Sequence, residues 1–141
     1  MFIEEGVNVV ICEAHRGGQF DATNFVQRPA ITAITKISRD HVENLGGNLQ
    51  HIAWHKSGIF RDQALALSVP QDQEVEGEIE RRAAEIGAPF QFISNKKALL
   101  EFLENDQIEN IPPEQRENCA LAAKIAHGFL HQSLDGREVL A

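Results

Sequence analysis

Short β-branched runs alternate with segments whose apolar residues recur every three or four positions, and this alternation constrains the fold more than any other feature of the chain. Val7 to Cys12 and Ala30 to Thr35 read as strands, the first followed by Gly17-Gly18 and the second preceded by Pro29. Between Leu45 and Ile59 the period changes: Leu45, Leu49, Ile52, Lys56 and Ile59 are spaced four, three, four and three apart, which predicts an amphipathic helix. Ala64 to Val69 is a third strand ending at Pro70. Val75, Ile79, Ala83 and Ile86 trace a second helical stripe that stops before Gly87, and Phe90 to Ile93 is a fourth strand. A helical stretch is expected around Ala98 to Leu103. Pro112-Pro113 then opens a last helix in which Asn118, Ala122, Ile125 and Phe129 share a face, with a frayed tail from Ser133. This order is that of an α/β protein, a mostly parallel sheet flanked by helices.

The bulk properties bound what such a fold does. At 141 residues, 43% hydrophobic and 24% charged, the chain has the size and composition of one globular domain. A net charge of −8 repels nucleic acid and anionic membrane surfaces, so neither is expected as a partner. The longest apolar stretch, Cys119 to Leu130, is interrupted by Lys124 and His127 and falls short of the roughly 20 residues of a membrane span. Cys12 and Cys119 lie far apart, and Cys12, inside an apolar run, reads as a buried thiol. Met1 to Gly6 carries Glu4 and Glu5 where an import signal would be basic. The expected compartment is the cytoplasm, or the mitochondrion for a form with an upstream segment.

In parallel sheets ligands bind beyond the carboxyl ends of the strands, which directs attention to Glu13, ending the first run, and to Lys36 to His41, following the second. A carboxylate and an imidazole there form part of a shell for a divalent cation, or else are a capping Glu and a surface His in unrelated loops. Lys56 falls within the apolar stripe of its helix. It must snorkel, pair, or change its chemistry, since a desolvated, neutral amine binds phosphate-site groups or reacts with carbon dioxide to an anionic carbamate. Asp21-Ala22-Thr23-Asn24 positions a ligand or shapes a turn. His51 and His55, like His127 and His131, are four apart without the glutamate of a zinc-hydrolase motif, and read as solvated or helix-flanking. No Gly-x-x-x-x-Gly-Lys-Ser/Thr phosphate loop occurs in the chain.

Taken as a set, Glu13-Ala14-His15-Arg16-Gly17-Gly18-Gln19-Phe20-Asp21-Ala22-Thr23-Asn24, Asp40-His41, Leu45-Gly46 and Ile52-Ala53-Trp54-His55-Lys56-Ser57-Gly58-Ile59-Phe60 resemble folylpolyglutamate synthase, in order as well as spacing. The likeness continues through Gln115-Arg116-Glu117-Asn118, spans about Met1 to Leu130, and is nearest the eukaryotic branch around Trp54. That family belongs with the Mur ligases. It uses ATP and magnesium (Mg2+) to join glutamate to the γ-carboxylate of a folate through an acyl phosphate. The resemblance implies Glu13 and His41 as magnesium ligands, Lys56 as the lysine carbamylated to hold a second magnesium, and Asn118 with Gln115 beside adenine. It further implies the loop Asp21, Thr23 and Asn24 near substrate, and folate and glutamate as small-molecule substrates.

Four residues at three places depart from the family pattern. His15 replaces a glycine and crowds the backbone near Glu13. Ser38-Arg39 puts a positive charge before Asp40-His41. Glu114 stands in place of a histidine beside Gln115. The chain is expected to be the second half of a Mur-ligase-like ATP-binding domain over residues 1–132, with a tail at 133–141 and without the phosphate-loop segment or the carboxy-terminal ligase domain. A separate chain supplying those segments is an implied partner, and neighbouring strands are expected to lack a sheet partner. The competing readings are a noncatalytic remnant or interaction protein, and a divergent amide ligase of secondary metabolism.

Overall fold

The computed structural model describes residues 4–15, 17–38, 48–93 and 99–134. Its elements follow as β1 (Ile31–Ile34), α1 (Leu49–Ser57), β2 (Leu65–Ser68), α2 (Gln73–Ile86), β3 (Phe90–Phe92), α3 (Asn105–Glu109) and α4 (Pro113–Leu134). The three strands form a parallel sheet in the order β1-β2-β3, with Ile31 opposite Leu65 and Ala66 opposite Phe90. Parallel neighbours need long crossovers, and α1 and α2 supply them. The expected α/β fold with its parallel sheet and flanking helices is therefore present.

Strand pleating divides the core in two. Ile34 and Ala66 join Ile52, Ala53, Phe60, Val75, Ile79 and Ala83 under α1 and α2. Leu67, Val69 and Ile93 join Leu99, Ile108, Ala120 and Leu121 under α3 and α4. The stripe predicted for α2 is the buried one: Val75, Ile79 and Ala83 are enclosed and Ile86 packs at their edge. Gly87 ends α2 at φ 83°, its N–H donating to the Ala83 carbonyl at 3.0 Å.

Four expectations are corrected. Val7 to Cys12 forms no strand: Ile11 is 92% exposed, and Cys12 is an exposed free thiol rather than a buried one. An extended apolar run is buried only when a strand lies beside it, and among the described residues none pairs with it or with the outer edge of β1. Helix α1 is shorter than Leu45 to Ile59. It starts after Asn48, whose Oδ1 accepts from the His51 N–H at 2.7 Å, and stops at Gly58; residues 45–47 lie outside the described set. Of the helix expected around Ala98 to Leu103, Ala98 lies outside the described residues; residues 99 and 100 are helical and a turn follows, after which the capping box of Glu104 with Gln107 starts α3 afresh. At the far end α4 runs through Leu134, past the expected fraying at Ser133.

Candidate functional site

Helix α1 carries Lys56 in its last turn, and the loop of residues 17–26 folds onto that end. Gly17 and Gly18 have φ of 81° and 92°, a left-handed path open to glycine. A Cβ on Gly18 would lie 2.8 Å from the His55 carbonyl oxygen and 2.9 Å from that of Lys56, so the loop approaches to a distance only a bare backbone allows. The Gln19 N–H then donates to the His55 carbonyl at 2.8 Å, taking one of the carbonyls a helix leaves free at its end. Lys56 is not wholly within the apolar face. Ile52, Ala53 and Ser57 are buried there, while Lys56 is half-buried at the margin, because small residues at 53 and 57 let α2 come close. Among the described residues its ammonium has no hydrogen-bond or ion-pair partner.

Asp21 to Asn24 is a turn fastened at both ends. Asp21 Oδ1 accepts from the Thr23 N–H at 2.9 Å and from the Thr23 hydroxyl at 2.7 Å. Asn24 Nδ2 donates to the carbonyls of Gln19 and Gly58, both at 3.1 Å. Glu13 is exposed, five residues before Gly18. His41 lies outside the described residues, so the expected meeting of Glu13 and His41 is not described. The strand end leading toward it is fixed by Gln71, which the sequence did not single out. Its Oε1 accepts from the Ile37 N–H at 2.9 Å, and its Nε2 donates to the Thr35 carbonyl at 2.9 Å and the Ser68 hydroxyl at 3.1 Å. That staple ties β1 to β2 at their carboxyl ends.

Gln115 and Asn118 are exposed on α4, which packs on the opposite face of the sheet from α1. The structure thus groups Lys56 with the Asp21–Asn24 turn and holds Asn118 and Gln115 in another layer. Groups from the two layers meet a common ligand only around the rim of the sheet.

Arg61, Arg82 and Gln19 belong to the α1 side and were also missed. The Arg82 guanidinium lies 4.9 Å from the centre of the Trp54 ring, and its Nη2 donates to Gln19 Oε1 at 2.8 Å. Beside them Phe20, His51, Trp54 and His55 form an aromatic ridge, with His55 5.0 Å from Trp54 and 4.8 Å from His51. Burial, and next the charge of His51, hold the His55 imidazole below its ordinary value. The hollow of about 280 Å³ next to this ridge is lined by Asn48, Gln50, His51, Trp54 and Glu78. No group of three His, Cys, Asp or Glu suited to a metal occurs among the described residues.

A helix-flanked parallel sheet whose glycine-bearing loop closes on a helix end carrying a lysine defines the class: residues 2–129 match the Mur ligase middle domain, and the chain belongs to that family. Its relatives narrow the likeness to folylpolyglutamate synthases. The chain is 40% identical over 133 residues to the probable folylpolyglutamate synthase of Schizosaccharomyces pombe, covering 94% of this chain and 26% of that one. It is 33% identical over 132 residues to the mitochondrial enzyme of Bos taurus, covering 94% and 23%. The Mycobacterium tuberculosis folylpolyglutamate synthase complexed with ADP and AMPPCP superposes with a TM-score of 0.58 at 30% identity, over 64% of this chain and 21% of that one. The chain spans about a quarter of the length of these curated relatives. Among the described residues no helix is long and apolar enough to cross a membrane.

Proposed function

We propose that this chain forms the second half of the ATP-binding domain of a folylpolyglutamate synthase-type ligase, one that joins glutamate to the γ-carboxylate of a folate. The observation that carries this reading is similarity over 94% of the chain to relatives of that name, running through the Glu13–Asn24 and Ile52–Phe60 segments. Glu13, His41 and a carbamylated Lys56 are the proposed magnesium-holding residues, with Asn118 and Gln115 on the adenine side.

The side chains suit that assignment. Glu13 presents an exposed carboxylate, a hard oxygen donor, and Lys56 an amine with no acidic partner among the described residues. When bound, magnesium screens phosphate charge during phosphoryl transfer. The chain's own part is to hold the loop that follows Glu13 on the end of α1 that carries Lys56, through the contacts of Gly18 and Gln19 with the His55 and Lys56 carbonyls. The Asn24 amide is spent on backbone carbonyls, so the Asp21–Asn24 turn acts by shaping the loop rather than by an Asn24–substrate bond.

The 141 residues hold no phosphate-loop pattern, and the second reading of these residues is a noncatalytic remnant or interaction protein. Cytoplasm is the proposed compartment, with the mitochondrion as the alternative suggested by the Bos taurus relative. The deciding experiment is ATP- and magnesium-dependent ligation of labelled glutamate to tetrahydrofolate by the purified, folded chain, with Lys56→Ala as control. We expect no product from the chain alone. Product that disappears in the control would overturn the half-domain reading.

A further inference from the structure

We infer that Asn24 and Arg61 are positioning residues that hold the Glu13-bearing segment in register with Lys56; this rests on the magnesium-site reading above. Arg61 spends its guanidinium on five acceptors, none of them a carboxylate. Nε donates to the Val26 carbonyl at 3.1 Å; Nη1 donates to those of Gly58 at 3.1 Å and Phe60 at 2.8 Å; Nη2 donates to the Asn24 carbonyl at 3.1 Å and to Asn24 Oδ1 at 2.6 Å. An arginine that recognised an anion would leave part of its fork open, whereas this fork is filled by backbone oxygens and one amide. Asn24 completes the circuit, since its Nδ2 reaches the Gln19 and Gly58 carbonyls, both at 3.1 Å. Two side chains thus bind the loop of residues 19–26 to the turn that follows α1.

The lever is the short chain between this clamp and Glu13. Residues 7–15 are exposed and among the described residues they pair with no strand; the first attachment that the described residues show after Glu13 is the contact of Gly18 and Gln19 with the His55 and Lys56 carbonyls. Glu13 and Gly18 are five positions apart, a reach of at most about 18 Å. If Gln19 loosens, the segment that carries Glu13 loses its nearest described attachment to the helix end that carries Lys56. Supporting residues of metal sites act in this way, and losing one typically lowers metal affinity 10–100-fold.

The test is Mn2+ titration of the full 141-residue chain followed by the electron paramagnetic resonance signal of free Mn2+, with bicarbonate present. Wild type, Glu13→Gln, Asn24→Ala and Arg61→Lys are compared, together with Ile125→Val, which weakens the opposite layer without touching the loop. Wild-type binding that Glu13→Gln removes, that falls about tenfold or more in Asn24→Ala and Arg61→Lys, and that Ile125→Val leaves unchanged supports the inference. Binding lost in Glu13→Gln but unchanged in folded Asn24→Ala overturns the positioning role and leaves the metal site standing. Absence of wild-type binding, or binding indifferent to Glu13→Gln, overturns the site and the inference with it. If Asn24→Ala does not fold, Asn24→Asp serves instead: it keeps an acceptor for Arg61, loses the donor to Gln19 and Gly58, and is expected to weaken Mn2+ by a similar factor.

Discussion

Replacing Gly18 by alanine tests whether the loop–helix closure is held by backbone approach. At φ 92° an L-residue is strained by roughly 1–2 kcal/mol. The added methyl would meet two backbone oxygens at 2.8 and 2.9 Å, contacts that no side-chain rotation relieves, and Ile59 Cγ2 at 3.1 Å. Overpacking of this kind costs about 1–3 kcal/mol, so the sum is about 2–5 kcal/mol. If the loop instead backs away, the Gln19 to His55 hydrogen bond goes, at about 1 kcal/mol, and the clamp around Asn24 strains with it. Gly77 supplies the opposite case: nothing lies within 4 Å of a Cβ there, and it sits exposed inside α2. Gly77→Ala should therefore gain about 0.5–1 kcal/mol. Urea denaturation followed by far-UV circular dichroism measures both free energies, and in thermal unfolding Gly18→Ala is expected to lower Tm by on the order of 10 °C. A Gly18→Ala variant within about 0.5 kcal/mol of wild type, a difference typical of surface changes, would refute the account.

Other outcomes follow from the same packing. Ile79→Ala, fully enclosed between α2 and the sheet, is expected to lose about 2–5 kcal/mol by urea denaturation, and a smaller loss would mean the site collapses to fill the cavity. Lys56→Ala should change stability by less than about 1 kcal/mol, since the half-buried side chain makes no polar contact with described residues; a larger loss would give Lys56 a role in folding. For His55 the folded state binds a proton less readily than the unfolded one, whose value is near 6.5. Its contribution is complete above that pH and is lost as pH falls below it, so His55→Gln should flatten the decline of stability between about pH 7 and 5, read from urea midpoints.

Much of this architecture was legible because its period is local. The α2 stripe of Val75, Ile79 and Ala83, the glycine that ends it and the strand cores at Ile31–Ile34 and Leu65–Ser68 all follow from residues near one another in sequence. The site was legible only as a set of residues: composition and spacing pointed to Glu13, Lys56 and Asn24 without saying what each touches. Arg61 and Gln71 were missed because the partners that tie them to other elements are 34 to 37 residues away, and a polar residue between elements carries no periodic signal. Val7 to Cys12 failed for the converse reason. A β-branched run states that a chain is suited to pairing, but burial depends on a neighbour that no local pattern names.

The two-sided burial of β2 sets the order in which the molecule comes apart. Its residues Ala66, Leu67 and Ser68 are fully enclosed, as is Val69 just after it; it is flanked by a strand on each side and contributes to both halves of the core. Either helical layer can swing open while the other still shelters this strand. Amide hydrogens of β2 should then exchange last, at the rate of global unfolding, while those of α1 and α4 escape earlier through separate partial openings. The sheet's middle strand thus acts as a spine shared by two leaves, and a ligand gripped by both leaves would be felt as slower exchange on each.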